Sequence, residues 1–198
     1  MPKKVFLELE EAKRQRVINA ALEEFALYDY ENSSTNRIVK SCGISKGSLF
    51  KYFENKEDLY FYLIETVSAA MGEDMAKAGR LPAGLLEKIT AYSSAEISWY
   101  IDHPREGRFM IAMSAERGGI YEKLCERYKD SRNKMYEALL EDTDMDGIKH
   151  GRDEVLTVIR WVLEGFKRDF SAEGDTAVLK EEYLGRLERY LEILKNGL

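Results

Sequence analysis

Cysteine, proline and histidine are scarce in this chain, and each scarcity removes a class of structure. The two cysteines, Cys42 and Cys125, lie far apart. They leave no disulfide framework and read as reduced thiols of a cytoplasmic protein. Only Pro2, Pro82 and Pro104 occur, so helices need seldom be interrupted. His103 and His150 have no cysteine or second histidine at ligand spacing, so no metal site is expected. No apolar run approaches the roughly 20 residues of a membrane span. The opening MPKKVFLELEEAKRQ mixes lysines with acids and lacks the apolar centre of a secretory signal. G-x-S-x-G, H-E-x-x-H, the P-loop and G-x-G-x-x-G are all missing, and no pair of acids is marked out as a dyad. Neither a catalytic residue nor a cofactor is expected.

What is present is a chain of 198 residues, 44% apolar and 33% charged, long enough for one or two domains with a real core. Its net charge is −6, yet residues 33–56 hold Arg37, Lys40, Lys46, Lys51 and Lys56 against Glu54 alone. Residues 61–198 hold 20 basic against 26 acidic side chains. Positive charge is therefore local, and its distribution says more than the total.

Apolar residues recur at three and four almost throughout, which predicts an all-α fold of about nine helices. Val17, Ile18, Ala21, Leu22, Phe25 and Tyr28 stripe a helix from Glu10 to Tyr28, and the NSST cluster after it can supply a cap. Ile38, Val39 and Cys42 make a short apolar face ended by Gly43; Leu49, Phe50 and Phe53 make another, with Ser45 as its cap. Asn55 caps a longer helix to about Lys77. AGRLPAG at 78–84 is the best boundary, and helical patterns follow near 84–102, 105–117, 119–141, 152–171 and 176–196. The expected organisation is a helix-turn-helix unit over 1–55, a connecting helix over 56–80 and a helical effector-binding and dimerisation domain over 81–198.

Two short helices around Gly43, with Val39, Ile44 and Leu49 as apolar anchors, have the order that a helix-turn-helix requires. The expected DNA-binding residues are Ser34, Thr35, Arg37, Ser45, Lys46, Gly47, Ser48, Leu49, Lys51, Tyr52 and Lys56. Ser34, Thr35, Tyr52 and Lys56 carry hydroxyl or ammonium groups suited to phosphates. Lys46, Ser48 and Lys51 are the side chains directed toward base edges or adjacent phosphates.

From Arg14 to Leu59 the sequence resembles the DNA-binding domain of the TetR family of bacterial transcriptional regulators. AALEEFA, Ser34-Thr35, Ile38, Gly43-Ile44-Ser45, Lys46-Gly47, Leu49 to Phe53 and Asn55 to Leu59 carry the resemblance, and IDHPREGRF at 101–109 is similar to a His-Pro turn of the second domain. It implies a homodimeric repressor on a palindromic operator, released by a small ligand, with Thr35, Lys46, Gly47, Tyr52 and Lys56 at positions used on DNA. Phe50 departs from the family by replacing a phosphate-contacting tyrosine, and Val39 by replacing an alanine at the helix crossing.

Beyond residue 84, Tyr92, Trp99, Met110, Met113, Tyr128 and Trp161 are the expected lining of an adaptable apolar effector pocket, residue types that equally suit a core. The stripe over 155–170 is too wide for one contact and suggests burial on two sides. With the leucine ridge of 184–198 it gives an expected dimer interface of Val155, Ile159, Val162, Gly165, Phe166, Leu184, Leu187, Leu191 and Leu194. DTDMDGIKHGRD at 142–153 comes close to an EF-hand loop, but position twelve is Asp153 rather than glutamate, so a solvated acidic loop is expected. Two readings stand beside a ligand-released repressor: a DNA-binding regulator controlled by a protein partner or by concentration, and a structural helical dimer.

Overall fold

A computed structural model describes residues 1–77, 84–141, 143, 150–171 and 179–197, which are all-helical apart from turns. In chain order the helices are α1 (Lys4–Leu7), α2 (Glu11–Asn32), α3 (Thr35–Cys42), α4 (Lys46–Tyr52), α5 (Lys56–Lys77), α6 (Leu85–Asp102), α7 (Pro104–Ser114), α8 (Gly118–Leu140), α9 (Arg152–Ser171) and α10 (Leu179–Gly197). The helix beyond the expected nine is α1, a single turn that periodicity could not register. The AGRLPAG break and nearly all of the EF-hand-like loop lie outside the described residues.

Two compact units form. The first is Met1–Glu73 with His103–Glu116, so α7 packs beside the amino-terminal helices although it follows α6 in the chain. The second is Asp74–Asp102 with Arg117–Leu198.

In the first unit α2 lies against α3 and α7 through Val17, Ile18, Ala21, Leu22 and Phe25, all buried. Phe25 meets Tyr60 of α5 at 4.8 Å between ring centroids, and Tyr60 meets Phe109 of α7 edge-on at 5.6 Å. Burying each such ring contributes about 1.5–3 kcal/mol. Phe6 of α1 is completely buried against Phe53 (4.7 Å), Tyr52 (5.6 Å) and Tyr62 (5.6 Å).

The stripe that marks α2 ends at Tyr28, and there the helix kinks. Asp29 takes φ 54° and ψ 178°, a conformation costly for any residue with a Cβ. Its carboxylate accepts from the Asn32 backbone N–H at 2.8 Å and from the Asn32 side chain, and one more turn follows.

The second unit is layered. Leu85, Ile89 and Ile97 of α6 pack with Val155, Ile159, Leu163 and Phe166 of α9 and with Tyr183, Leu187 and Leu191 of α10. The expected dimer residues Val155, Ile159, Phe166, Leu187 and Leu191 are thus filled by the chain's own core, while Leu184 and Leu194 are half-buried at its margin. Periodicity identifies a buried face without saying what buries it, and these positions have the spacing of an intermolecular contact. The other side of the layer carries Trp161 at 65% exposure and Ile193 at 68%. Tyr190, also exposed, meets Phe166 edge-on at 5.7 Å.

Candidate nucleic-acid interface

The turn between α3 and α4 is built by Gly43, which caps α3 in the left-handed conformation (φ 69°, ψ 34°). The Ile44 N–H returns to the Val39 carbonyl at 3.1 Å. A side chain at Gly43 would meet nothing within 4 Å, so backbone conformation and not space selects glycine. Ser45 caps α4: its Oγ accepts from the Ser48 N–H at 3.1 Å, and the two hydroxyls share a bond of 2.8 Å. Ser34 occupies the N-cap place of α3 without a side-chain bond; its N–H instead donates to Glu24 Oε1 at 2.7 Å.

The expected DNA-binding residues separate into two groups. Thr35 and Ser48 are half-buried, and Ser45, Lys46, Gly47 and Lys51 are exposed. With Lys40, the ammonium groups of Lys46 and Lys51 form no ion pair among the described residues, which leaves this face positive.

The second group is occupied internally. Leu49 is 2% exposed and Tyr52 6%, both in the core. Arg37 donates from Nε to Glu24 Oε1 at 2.8 Å and from Nη2 to the Asn32 carbonyl at 2.8 Å, and it lies over the Tyr28 ring at 4.0 Å. The hydrogen bond to Glu24 pushes the Arg37 guanidinium above its already high value. Lys56 Nζ donates to the Tyr30 carbonyl at 2.6 Å and to those of Ser33 at 3.3 Å and Glu31 at 3.4 Å, closing the end of α2. Its ammonium also sits 4.4 Å from the Tyr30 ring centroid. Arg37 and Lys56 therefore hold the loop that presents α3, and their charges are committed to that task.

Periodicity missed the polar supports of this unit. Lys3 donates its N–H to the Tyr52 carbonyl (2.8 Å) and its Nζ to the Phe50 carbonyl (3.2 Å), finishing the last turn of α4. Glu116, 5% exposed, accepts from the Tyr30 N–H at 2.7 Å and from the Tyr60 hydroxyl at 3.1 Å. Burial raises the Glu116 carboxyl, while these two hydrogen bonds pull it back. Burial first, then Glu57, pushes the Tyr30 phenol up to about 12; burial and Glu116 push Tyr60 up as well. The only sequence signal for Lys3 and Phe6 was the apolar trio Val5, Phe6, Leu7, and a lone buried glutamate gives none.

The expected pocket residues are divided between the two units. Met110 and Met113 belong to α7 and the first unit, whereas Tyr92, Trp99, Tyr128 and Trp161 belong to the second. Trp99 is buried with Nε1 donating to Asp74 Oδ2 at 3.2 Å, and Trp161 faces outward. Helix α6 buries three polar residues, Lys88 at 5% exposure, Ser93 at 1% and Glu96 at 4%; Lys88 Nζ donates to the Glu141 carbonyl at 2.8 Å. Glu96 Oε1 accepts from the Tyr100 hydroxyl at 3.0 Å, and Ser93 Oγ has no hydrogen-bond partner among the described residues.

Residues 17–63 match the family described as bacterial regulatory proteins, tetR family. The fatty acid metabolism regulator protein of Bacillus subtilis is 26% identical over 178 residues, which is 84% of this chain and 92% of that protein. The HTH-type transcriptional repressor AcnR of Corynebacterium diphtheriae is 25% identical over 199 residues, 94% of this chain and 91% of the other. Among solved structures, a TetR family transcriptional regulator from Chloroflexus aurantiacus shares the fold at TM-score 0.68 and 22% identity, covering 100% of this chain and 98% of its own. FadR of Bacillus subtilis, solved in complex with stearoyl-CoA, shares it at TM-score 0.61 and 16% identity, covering 87% and 96%. The lysine-bearing α4 behind a glycine turn and the matched motif agree: residues 17–63 form a DNA-binding domain of the TetR family, and the chain as a whole shares the fold of TetR-family transcriptional regulators.

Proposed function

We propose that the chain is a homodimeric repressor that binds a palindromic operator through α4 and leaves it when a small, largely apolar ligand enters the second unit. The observation that carries DNA binding is the division of cations in the first unit. Arg37 and Lys56 are consumed by structure, while Lys46 and Lys51 stand exposed on α4 with Lys40 on α3. Phosphates need such uncommitted charges, and counterion release makes the affinity steeply salt-dependent.

Dimerisation is supported by the outward side of the α9 and α10 layer. Trp161, Tyr190 and Ile193 expose apolar surface there, and a Cβ at Gly165 would meet nothing within 4 Å, so another backbone can come close. Because Val155, Ile159, Phe166, Leu187 and Leu191 of the expected interface pack in the unit's own core, the proposed contact is drawn at this outward side, which lies outside the stripe. A two-fold pair would set two α4 helices to read half-sites about 34 Å apart.

Ligand response is supported by Ser93 and Glu96, polar groups that α6 buries in the second unit. An apolar ligand with one hydrogen-bonding group would satisfy Ser93 Oγ, which otherwise costs about 1–3 kcal/mol. Release by a factor of about 100 needs a coupling near 2.7 kcal/mol between ligand and DNA. Because one relative is a fatty acid metabolism regulator and one structural neighbour holds stearoyl-CoA, a long-chain acyl thioester is the first compound to test.

Fluorescence anisotropy with the promoter DNA next to the protein's own gene tests the reading. Sequence-specific binding whose affinity falls steeply with salt, and which a ligand abolishes, supports it. Specific binding that no acyl thioester or other apolar compound alters would favour control by concentration or by a protein partner. No specific binding at low salt would leave only a structural role.

A further inference from the structure

We infer that Phe50 reads the C5 methyl of thymine in each operator half-site, an inference that rests on the DNA-binding reading and adds the base it selects. Phe50 is 38% exposed, while its neighbours Leu49, Tyr52 and Phe53 on the same short segment are buried. The ring therefore lies partly open at the surface and outside the core. One turn earlier on the same side lie Lys46 and Gly47, both exposed. A Cβ at Gly47 would find only Ser45 Oγ, at 3.9 Å, so the protein's own packing does not call for glycine. Glycine in a helix is disfavoured relative to alanine, and a surface approaching from outside explains why it stands here.

Gly47 and Phe50 lie three residues apart on α4, a bare backbone position one turn before an exposed apolar ring, with the exposed lysines Lys46 and Lys51 next to them in sequence. In the major groove the thymine methyl is the one apolar group presented by a base edge, and phenylalanine is a known type of partner for it. Phe50 has no hydroxyl to offer a phosphate. Its backbone is pinned as well, because Lys3 Nζ bonds the Phe50 carbonyl at 3.2 Å and so fixes the ring's base.

The test replaces deoxythymidine with deoxyuridine, which deletes the methyl and nothing else, position by position across the footprint on the promoter DNA. Burial of one methyl corresponds to roughly fourfold in Kd, so a symmetric pair of replacements should weaken the parent protein about fifteenfold. Phe50→Ala should bind the thymidine and uridine operators alike, with the circular dichroism and melting temperature of the parent; Phe50→Tyr keeps the ring and should keep the discrimination. Gly47→Ala should weaken every operator without lowering the melting temperature. A parent indifferent to deoxyuridine at every position, or a Phe50→Ala protein that keeps the full penalty, overturns the inference and leaves DNA binding standing. Absence of any sequence-specific binding would overturn both.

Discussion

In the first unit, helices of seven and eight residues are held at their ends by side chains from distant elements. The second unit instead stacks helices of 18 to 23 residues through continuous apolar stripes. The difference follows from length. A helix of two turns has most of its backbone groups at its termini and is marginal by itself in water. Here α4 is finished by Lys3, and the segment leading into α3 is fixed by Glu24 and Arg37. The kinked end of α2 is closed by Lys56 and Glu116. Each of these is a long side chain whose target lies a few tens of residues or more away in sequence, or across a turn. In α6, α9 and α10 the apolar stripes suffice, and the buried polar residues Lys88, Ser93 and Glu96 stand out as exceptions. A reading unit that must hold a short helix in register is pinned by directional bonds. A layered unit is held by burial, which is non-directional and tolerates repacking.

The comparison can be broken first at the aromatic centre of the first unit. Phe25→Ala removes a ring 1% exposed that packs on Tyr60 and Phe109, and should cost about 3–5 kcal/mol in urea denaturation. A loss no greater than that of a surface change would mean that polar ties alone hold this unit together.

Next come the ties themselves. Lys56→Ala strips an ammonium from three backbone carbonyls and should cost about 1.5–3 kcal/mol. Lys46→Ala should leave stability within about 0.5 kcal/mol of the parent and weaken DNA binding or relax its sequence preference. Equal effects on melting temperature would erase the distinction between structural and DNA-facing lysines.

Glu116 sharpens the contrast through pH. Glu116→Ala orphans the Tyr30 N–H and the Tyr60 hydroxyl and should cost about 1–3 kcal/mol. The folded-state pKa of Glu116 lies above its unfolded value of about 4.5. Its titration therefore contributes stability that is present below about 4.5 and is lost as pH rises through the folded pKa. Glu116→Gln keeps an acceptor and does not titrate, so its stability relative to the parent should increase between about pH 4 and pH 7. Urea midpoints at the two pH values measure this, and a constant difference would refute it.

The smallest effect on the fold, and a large one on assembly, is expected at the outward face of the second unit. Trp161→Ser should change monomer stability by less than about 0.5 kcal/mol, since the ring is 65% exposed. In analytical ultracentrifugation it should shift the dimer toward monomer. A parent that sediments as a monomer at micromolar concentration would remove the proposed interface altogether.

Much of this protein was settled by local rules alone. The scarcity of proline and the three-and-four spacing of apolar residues specify helices, Gly43 and Ser45 specify the turn and cap between α3 and α4, and the run of lysines marks the positive segment. These depend only on neighbours within a turn or two. Which partner each side chain meets was left to tertiary structure. Leu187 and Leu191 have the spacing of an interface and lie in a core; Lys56 and Arg37 have the charge of phosphate contacts and close backbone ends; Glu116 looks like any surface acid and sits buried between two tyrosines. Periodicity records that a face is buried or a charge is present. Only the path of the chain through space decides what lies opposite, because burial has no direction and an ion or a hydrogen bond is satisfied by whichever partner arrives.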